Sequence, residues 1–186
     1  GVFVLAGPNA RSVLQKIADA DISNESFKWL SMQEIPIGFC PKVRAMRVNF
    51  VGSLGWELHH PIEYQLQLFE ALQEAGAEFE IKNVGMRAMD SMRLEKSYRL
   101  WGTDLNAENS ALEANLQRFV KLNKGEFTGR QALVEQQEQG VPNKFCTIEI
   151  EADDADSFGN EPIIIDGKVV GRGTSGGYGH FIRKSL

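Results

Sequence analysis

Hydrophobic and polar positions alternate with two different periods along the first part of the chain. The apolar run Val2–Ala6 predicts a buried strand, and Val13, Leu14 and Ile17 recur on one face of a predicted helix over residues 10–20. Further strands are expected over residues 31–40, 43–50 and 56–59, and the last two should form a hairpin. Further helices are expected over residues 61–75, from residue 87 onward, and over residues 128–140. In the helix over residues 61–75, the expected core stripe is Leu66, Phe69 and Leu72. This order predicts an α+β body.

The pattern changes after Pro142, where strand signals replace helical ones. Asp166-Gly167 between two apolar runs predicts a type I′ hairpin. Residues 145–151 alternate like a strand whose inward positions are Cys146, Ile148 and Ile150. Because the glycine-rich segment 173–179 suits sharp bends, we expect a small C-terminal β-barrel. The predicted domains are therefore residues 1–140, a mixed α/β body, and residues 141–186, the barrel.

Composition narrows the function classes. Of 186 residues, 42% are apolar and 24% charged, which is typical of a globular protein. The net charge of −5 provides no basic field, so we expect no nucleic-acid partner. No apolar run approaches the roughly 20 residues needed to span a bilayer, so we expect no membrane partner. The chain begins without Met inside an apolar strand and stops without a closing element, which favours a segment of a longer protein.

The cysteines and histidines indicate no metal site. Cys40 and Cys146 lie far apart among apolar residues, which favours buried free thiols over a disulfide. His59, His60 and His180 do not fall at metal-ligand spacing.

The most informative segment is the charged helix that begins at residue 87. Arg87, Asp90 and Arg93 recur at three-residue spacing, with Glu95 close behind, so their side chains share neighbouring parts of the helix surface. An arginine beside carboxylates either holds a rigid polar ligand or ties a loop to a helix. The spacing leaves both interpretations open.

Several segments together resemble the aminomethyltransferase family, the glycine-cleavage T-protein and its relatives. The segments are residues 50–57 (FVGSLGWE), 87–95 (RAMDSMRLE), 101–105 (WGTDL) and 174–180 (TSGGYGH). They occur in the family's order over essentially the whole chain. The sequence of residues 96–104 (KSYRLWGTD) is most similar to the folate-binding C-terminal region of dimethylglycine and sarcosine dehydrogenases. The resemblance implies three parts around a central opening in which a pterin sits.

The resemblance implies tetrahydrofolate as the acceptor of a one-carbon unit from an amine donor. It places Glu57 on the amino-pyrimidine edge of the pterin and Arg87 in the folate site. The alternatives are a solvated hairpin charge for Glu57 and a helix-start salt bridge for Arg87. Trp101 is expected to line the pocket or to be a core aromatic, and Tyr178 to approach the pocket. Arg93 and Glu95 are expected to fix neighbouring loops rather than touch ligand.

The catalytic residue of the family is not expected in this chain. The resemblance places the family's catalytic aspartate upstream of Gly1, and no aspartate here lies in its motif. Phe50 stands where the demethylating branch often has Tyr, and Ser53 where the family often has an acid. We therefore expect part of a folate pocket without a complete catalytic centre. FAD is expected only if a dehydrogenase domain is attached outside this chain.

Three alternatives remain open beside the function that the resemblance implies. They are a folate-dependent demethylase with a sulfur donor, a non-catalytic folate-binding or scaffold module, and a helix-rich interaction domain without a ligand. The expected location is the cytoplasm, or the mitochondrial matrix if the source is eukaryotic.

Overall fold

The computed structural model describes all residues from Gly1 to Leu186 and separates them into two compact units, Gly1–Asp90 and Ser91–Leu186. The division falls inside a helix rather than near Gly140. The domain boundary expected near residue 140 stays a prediction. The two ranges are called the first and second unit below.

The first unit is built on a four-stranded antiparallel sheet with strand order β1-β4-β3-β2. Its elements confirm the strands and helices predicted for this part in type and order, although the first helix ends at Ile17 and the strand expected over residues 43–50 runs from Cys40 to Met46. The elements are β1 (Val2–Ala6), α1 (Ala10–Ile17), β2 (Met32–Ile37), β3 (Cys40–Met46), β4 (Gly55–His59), α2 (Gln65–Gly76) and α3 (Met86–Glu95), which continues into the second unit.

Burial alternates along the strands, so the sheet has one covered and one open face. Trp56 and Leu58 of β4 are fully buried and belong to a core that includes Leu14 of α1 and Leu68 of α2. Burying a side chain of this size contributes about 1.5–3 kcal/mol relative to exposure. The core stripe of α2 differs from the prediction because Leu66 is 68% exposed and Leu68 takes the buried position. Leu72 is buried as predicted, and with Leu68 and Ala75 it forms an i, i+4, i+7 stripe on one face of α2.

The second unit contains less regular structure. It holds α4 (Arg130–Gln139) and two two-stranded ribbons, β5–β6 (Pro162–Ile165 with Lys168–Arg172) and β7–β8 (Tyr178–Gly179 with Lys184–Ser185). The predicted Asp166-Gly167 hairpin is confirmed, with φ of 50° and 75° at its two turn residues. Both values are positive, as a type I′ turn requires.

The strand predicted over residues 145–151 is wrong. Only Ile150 pairs, through a single bridge to Ser185. The Phe145 amide instead donates to the Glu113 carbonyl, which belongs to a turn, and Cys146 is exposed rather than buried. Alternation alone does not make a strand, because a strand also needs a neighbour at ladder spacing.

A closed C-terminal barrel is not confirmed. Closure requires every strand to pair on both edges, whereas each ribbon of the second unit has two strands. The barrel stays a prediction. The two cysteines are free. The longest helix, α2, has 12 residues, and no helix has the length and apolar character needed to cross a membrane.

Candidate ligand-binding residues

A hairpin loop closed by the Asn49 side chain precedes β4. The Asn49 side-chain oxygen accepts hydrogen bonds from the amides of Val51 and Gly52, both at 2.9 Å, and its amide nitrogen donates to the Ser53 carbonyl at 2.7 Å. Gly55 follows, where an added Cβ would lie 2.5 Å from the Leu5 carbonyl oxygen. Only glycine allows this close approach of β4 to β1. The loop therefore determines which way the next strand residues point, although sequence reasoning assigned Asn49 no role.

Glu57 projects from β4 onto the open face of the sheet. Residues directly opposite on neighbouring antiparallel strands share a face, and the register pairs Glu57 with Val4 on one side and Met46 on the other. Met46 in turn pairs with Met32. Val4 and Met32 are each more than half exposed, whereas the Glu57 side chain is 30% exposed. The carboxylate is thus set in a row of apolar side chains.

His59 is the polar neighbour of this carboxylate. Its Nε2 lies 3.2 Å from Glu57 Oε2, and both side chains point to the open face because they are two residues apart on one strand. Glu57 Oε1 has no hydrogen-bond partner in the protein. The geometry differs from a freely solvated hairpin charge, since one oxygen is held and the other is available.

Arg87 lies in the first turn of α3 and is exposed. It forms no ion pair and no hydrogen bond to protein. The helix-start salt bridge considered for it is therefore absent. Its role in ligand binding stays a prediction, as does that of Glu57.

Arg93 ties separate segments of the second unit together, as predicted for it. Its guanidinium donates to Asp104 Oδ2 at 2.6 Å, to the Tyr98 carbonyl at 3.1 Å and to the Ser175 hydroxyl at 2.8 Å. The Arg93 and Asp104 side chains are 4% and 1% exposed. All of these contacts are within the protein, and they hold separate segments of the fold together.

Asp104 accepts the other hydrogen bonds of the network around Arg93. It accepts from the Leu100 amide and from the hydroxyls of Thr174 and Ser175. Burial alone would raise the pKa of Asp104, but these hydrogen bonds and the Arg93 charge outweigh it and hold the pKa below its ordinary value. Sequence reasoning matched both segments to family motifs without pairing them.

Glu95 also behaves as predicted. Its Oε1 accepts a hydrogen bond from the Phe181 amide at 2.8 Å and so fixes a C-terminal loop. The charged residues of segment 87–95 therefore fall into two groups according to their position in the helix. The arginine at its start is exposed, and the groups near its end hold loops.

Trp101 and Tyr178 lie in the second unit and are exposed. Trp101 is 71% exposed, so the interpretation as a core aromatic is wrong. Tyr178 is 39% exposed; its ring packs edge-on against His180 at 5.2 Å, and its carbonyl accepts from the Ser91 hydroxyl. Their proposed part in a pocket stays a prediction.

The second unit contains a cleft of about 720 Å³. Its walls include apolar side chains such as Ile148, Ile163 and Leu186, and the paired Arg93 and Asp104 reach its surface. Neither Trp101 nor Tyr178 lines it. No group of three or more His, Cys, Asp or Glu side chains has a metal-binding arrangement.

Comparison with known proteins agrees with the motif resemblance. The family model described as the GCVT N-terminal domain matches residues 1–124. The chain belongs to the GCVT family. It is 44% identical over 187 residues to mitochondrial dimethylglycine dehydrogenase from Homo sapiens, which covers all of this chain and 22% of that protein.

Two further relatives extend the comparison. The chain is 33% identical to the mitochondrial pyruvate dehydrogenase phosphatase regulatory subunit from Mus musculus, over 98% of the chain and 21% of that protein. The crystal structure of the glycine cleavage system aminomethyltransferase T from Bartonella henselae superposes with a TM-score of 0.74 at 25% identity, covering 99% of this chain and 49% of that one. The mixed α/β fold of aminomethyltransferases is thereby shown. The chain spans about a fifth of the length of the dehydrogenase.

Proposed function

We propose that this chain forms part of a tetrahydrofolate site in an enzyme that transfers a methylene or methyl group from an amine donor. Membership of the GCVT family and similarity to a dimethylglycine dehydrogenase support this reaction class. Because the chain corresponds to a small part of that relative, the activity of the whole protein and its donor belong to the proposal.

The observation that carries the proposal is the Glu57 carboxylate. A pterin presents a ring N–H and an exocyclic amine side by side, two donors that one carboxylate can accept together. Glu57 offers an unpartnered Oε1 and an Oε2 that retains a second lone pair beside the His59 bond. Each charge-assisted hydrogen bond of this kind contributes about 1.5–3 kcal/mol net. The apolar neighbours Val4, which is exposed, and Met46, which is half-buried, suit the flat face of the ring.

The other predicted residues take supporting roles in this proposal. The exposed Arg87 guanidinium, which has no protein partner, would pair with a carboxylate of the folate tail, as arginine does bidentately. The rings of Trp101 and Tyr178 would supply apolar contact to the ligand. Neither group carries out chemistry.

The contribution of this chain to catalysis would be orientation. Holding the pterin by one edge places its ring nitrogen at a fixed position relative to the donor carbon, a proximity effect. The acid that handles protons is the aspartate expected outside this chain, and any flavin would bind to a dehydrogenase domain outside it. If the source is eukaryotic, we propose the mitochondrial matrix as the location, in keeping with the mitochondrial dehydrogenase.

The proposal is tested by calorimetric titration of the full-length protein with reduced tetrahydrofolate. We expect Glu57→Ala to weaken binding at least about tenfold, the loss of one to two charge-assisted hydrogen bonds. Glu34→Ala is the matched control. Glu34 lies on the same face of the sheet, but its carboxylate already forms ion pairs with Lys42 and Arg44. Equal affinity in wild type and Glu57→Ala, or no binding by folded wild type, would overturn the proposal.

A non-catalytic binding module is the second candidate. It is favoured by the similarity to a protein named as a regulatory subunit. The full-length protein would then bind tetrahydrofolate without consuming methylated amine donors. Single-turnover assays with dimethylglycine and sarcosine, performed at saturating tetrahydrofolate, separate the two candidates.

A further inference from the structure

His59 stands beside the carboxylate that the proposed function depends on, and its position has no evident structural purpose. The side chain is 39% exposed on the open face, so it adds little to the core. Its single polar contact is Nε2 to Glu57 Oε2 at 3.2 Å. In the neutral ring, the tautomer with hydrogen on Nε2 donates this bond.

The charged side chains near His59 pair with other residues and not with His59 or Glu57. The register places Val2 of β1 on one side of His59 and Arg44 of β3 on the other. Arg44 Nε lies 3.5 Å from Glu34 Oε2 and Lys42 Nζ 3.1 Å from Glu34 Oε1. The nearest cation on β3 is therefore directed toward another carboxylate, and His59 is the group that contacts Glu57.

We propose that His59 is a positioning residue that holds the Glu57 carboxylate for a flat heterocycle with two adjacent N–H donors. The inference rests on the proposed function. A glutamate on a sheet surface rotates among several side-chain conformers, and ordering it on binding costs affinity. The His59 hydrogen bond holds Oε2 before the ligand arrives and leaves Oε1 and one lone pair of Oε2 for the two donors.

The geometry distinguishes three substitutions at one position. The amide nitrogen of Gln reaches about as far as the Nε2 of His, whereas that of Asn reaches only as far as Nδ1. His59→Gln therefore keeps the donor to Oε2, and His59→Asn and His59→Leu lose it. If His59 served only as a polar group in contact with water, Asn would be tolerated as well as Gln. Rescue by Gln but not by Asn is the signature of positioning.

The experiment measures the dissociation constant of tetrahydrofolate for the full-length protein by calorimetry. We expect His59→Leu and His59→Asn to weaken binding about three- to tenfold, the range of one net hydrogen bond, and His59→Gln to stay within about twofold of wild type. Lys42→Leu, on the same face and away from Glu57, is the control and should leave the constant unchanged. In a Glu57→Ala background, His59→Leu should change affinity less than about twofold, since the group that it positions is gone.

The outcomes distinguish a failure of the His59 role from a failure of the proposed folate site. Binding that depends on Glu57 but is equal in wild type, His59→Asn and His59→Leu overturns the role of His59 and leaves the folate site standing. A full His59→Leu effect in the Glu57→Ala background also overturns it, because His59 would then act without Glu57. Binding that ignores Glu57 overturns the proposed function and this inference with it.

Discussion

Different interactions stabilise the interior of each of the two units. All of the buried apolar side chains lie in the first unit except Leu112 and Ala114. The second unit instead buries the charged pair Arg93 and Asp104. Apolar burial is non-directional and tolerates small shifts, whereas a buried ion pair is favourable only when its geometry and remaining hydrogen bonds are complete. The first unit should therefore respond mainly to lost volume and the second to lost charge or hydrogen bonds.

Removing Asp104 gives the largest expected effect. Asp104→Ala removes the buried carboxylate that accepts hydrogen bonds from Arg93, Leu100, Thr174 and Ser175, and it should lower the free energy of unfolding of the second unit by about 3–5 kcal/mol. Native-state hydrogen exchange followed by mass spectrometry reads each unit separately. Glu149→Ala is the control, because its ion pair with Lys184 is half exposed and should matter by less than about 1 kcal/mol. Equal effects of the two variants would contradict the role given to the buried pair.

Acid should affect the two units unequally. The folded-state pKa of Asp104 is lowered, so its contribution is fully present above the unfolded aspartate value of about 3.9 and is lost as pH falls through the folded value. Amide protection in the second unit should therefore fall over this window, and the fall should be smaller in Asp104→Asn.

Leu14→Ala provides the contrast in the first unit. It removes buried apolar volume and should cost the first unit about 2–5 kcal/mol, with no dependence on the charge of Asp104. Exchange measured at about pH 7 and about pH 3 tests this. An acid-sensitive Leu14→Ala cost together with an acid-insensitive second unit would reverse the comparison.

The smallest effect concerns the β5–β6 ribbon. Gly167 has a φ of 75°, and Gly167→Ala should weaken the hairpin by about 1 kcal/mol because a Cβ is disfavoured there although no atom obstructs it. Gly85→Ala is the matched control in the first unit, where the site is equally open and φ is not positive. Exchange of the β5 and β6 amides measures the difference. Equal responses would show that turn geometry does not hold this ribbon.

The candidate site could be predicted in part from sequence. The alternation of β4 implies that residues 57 and 59 share a face, so the Glu57–His59 contact was available from the strand period alone. The family motif drew attention to Glu57 and Arg87. Neither signal shows that Glu57 Oε1 is free or that Arg87 lacks a salt bridge, because both depend on which side chains other strands and loops bring near.

By itself, the sequence determines the elements of the first unit and the β5–β6 turn. Each of these follows from a local cause, either an apolar period or a residue pair suited to positive φ. Only the tertiary structure determines that Arg93 meets Asp104 and Ser175, that residues 145–151 form no strand, and that Trp101 is exposed. The reason is physical. These outcomes depend on partners distant in sequence, and local pattern carries no information about which distant group completes a hydrogen bond or a ladder.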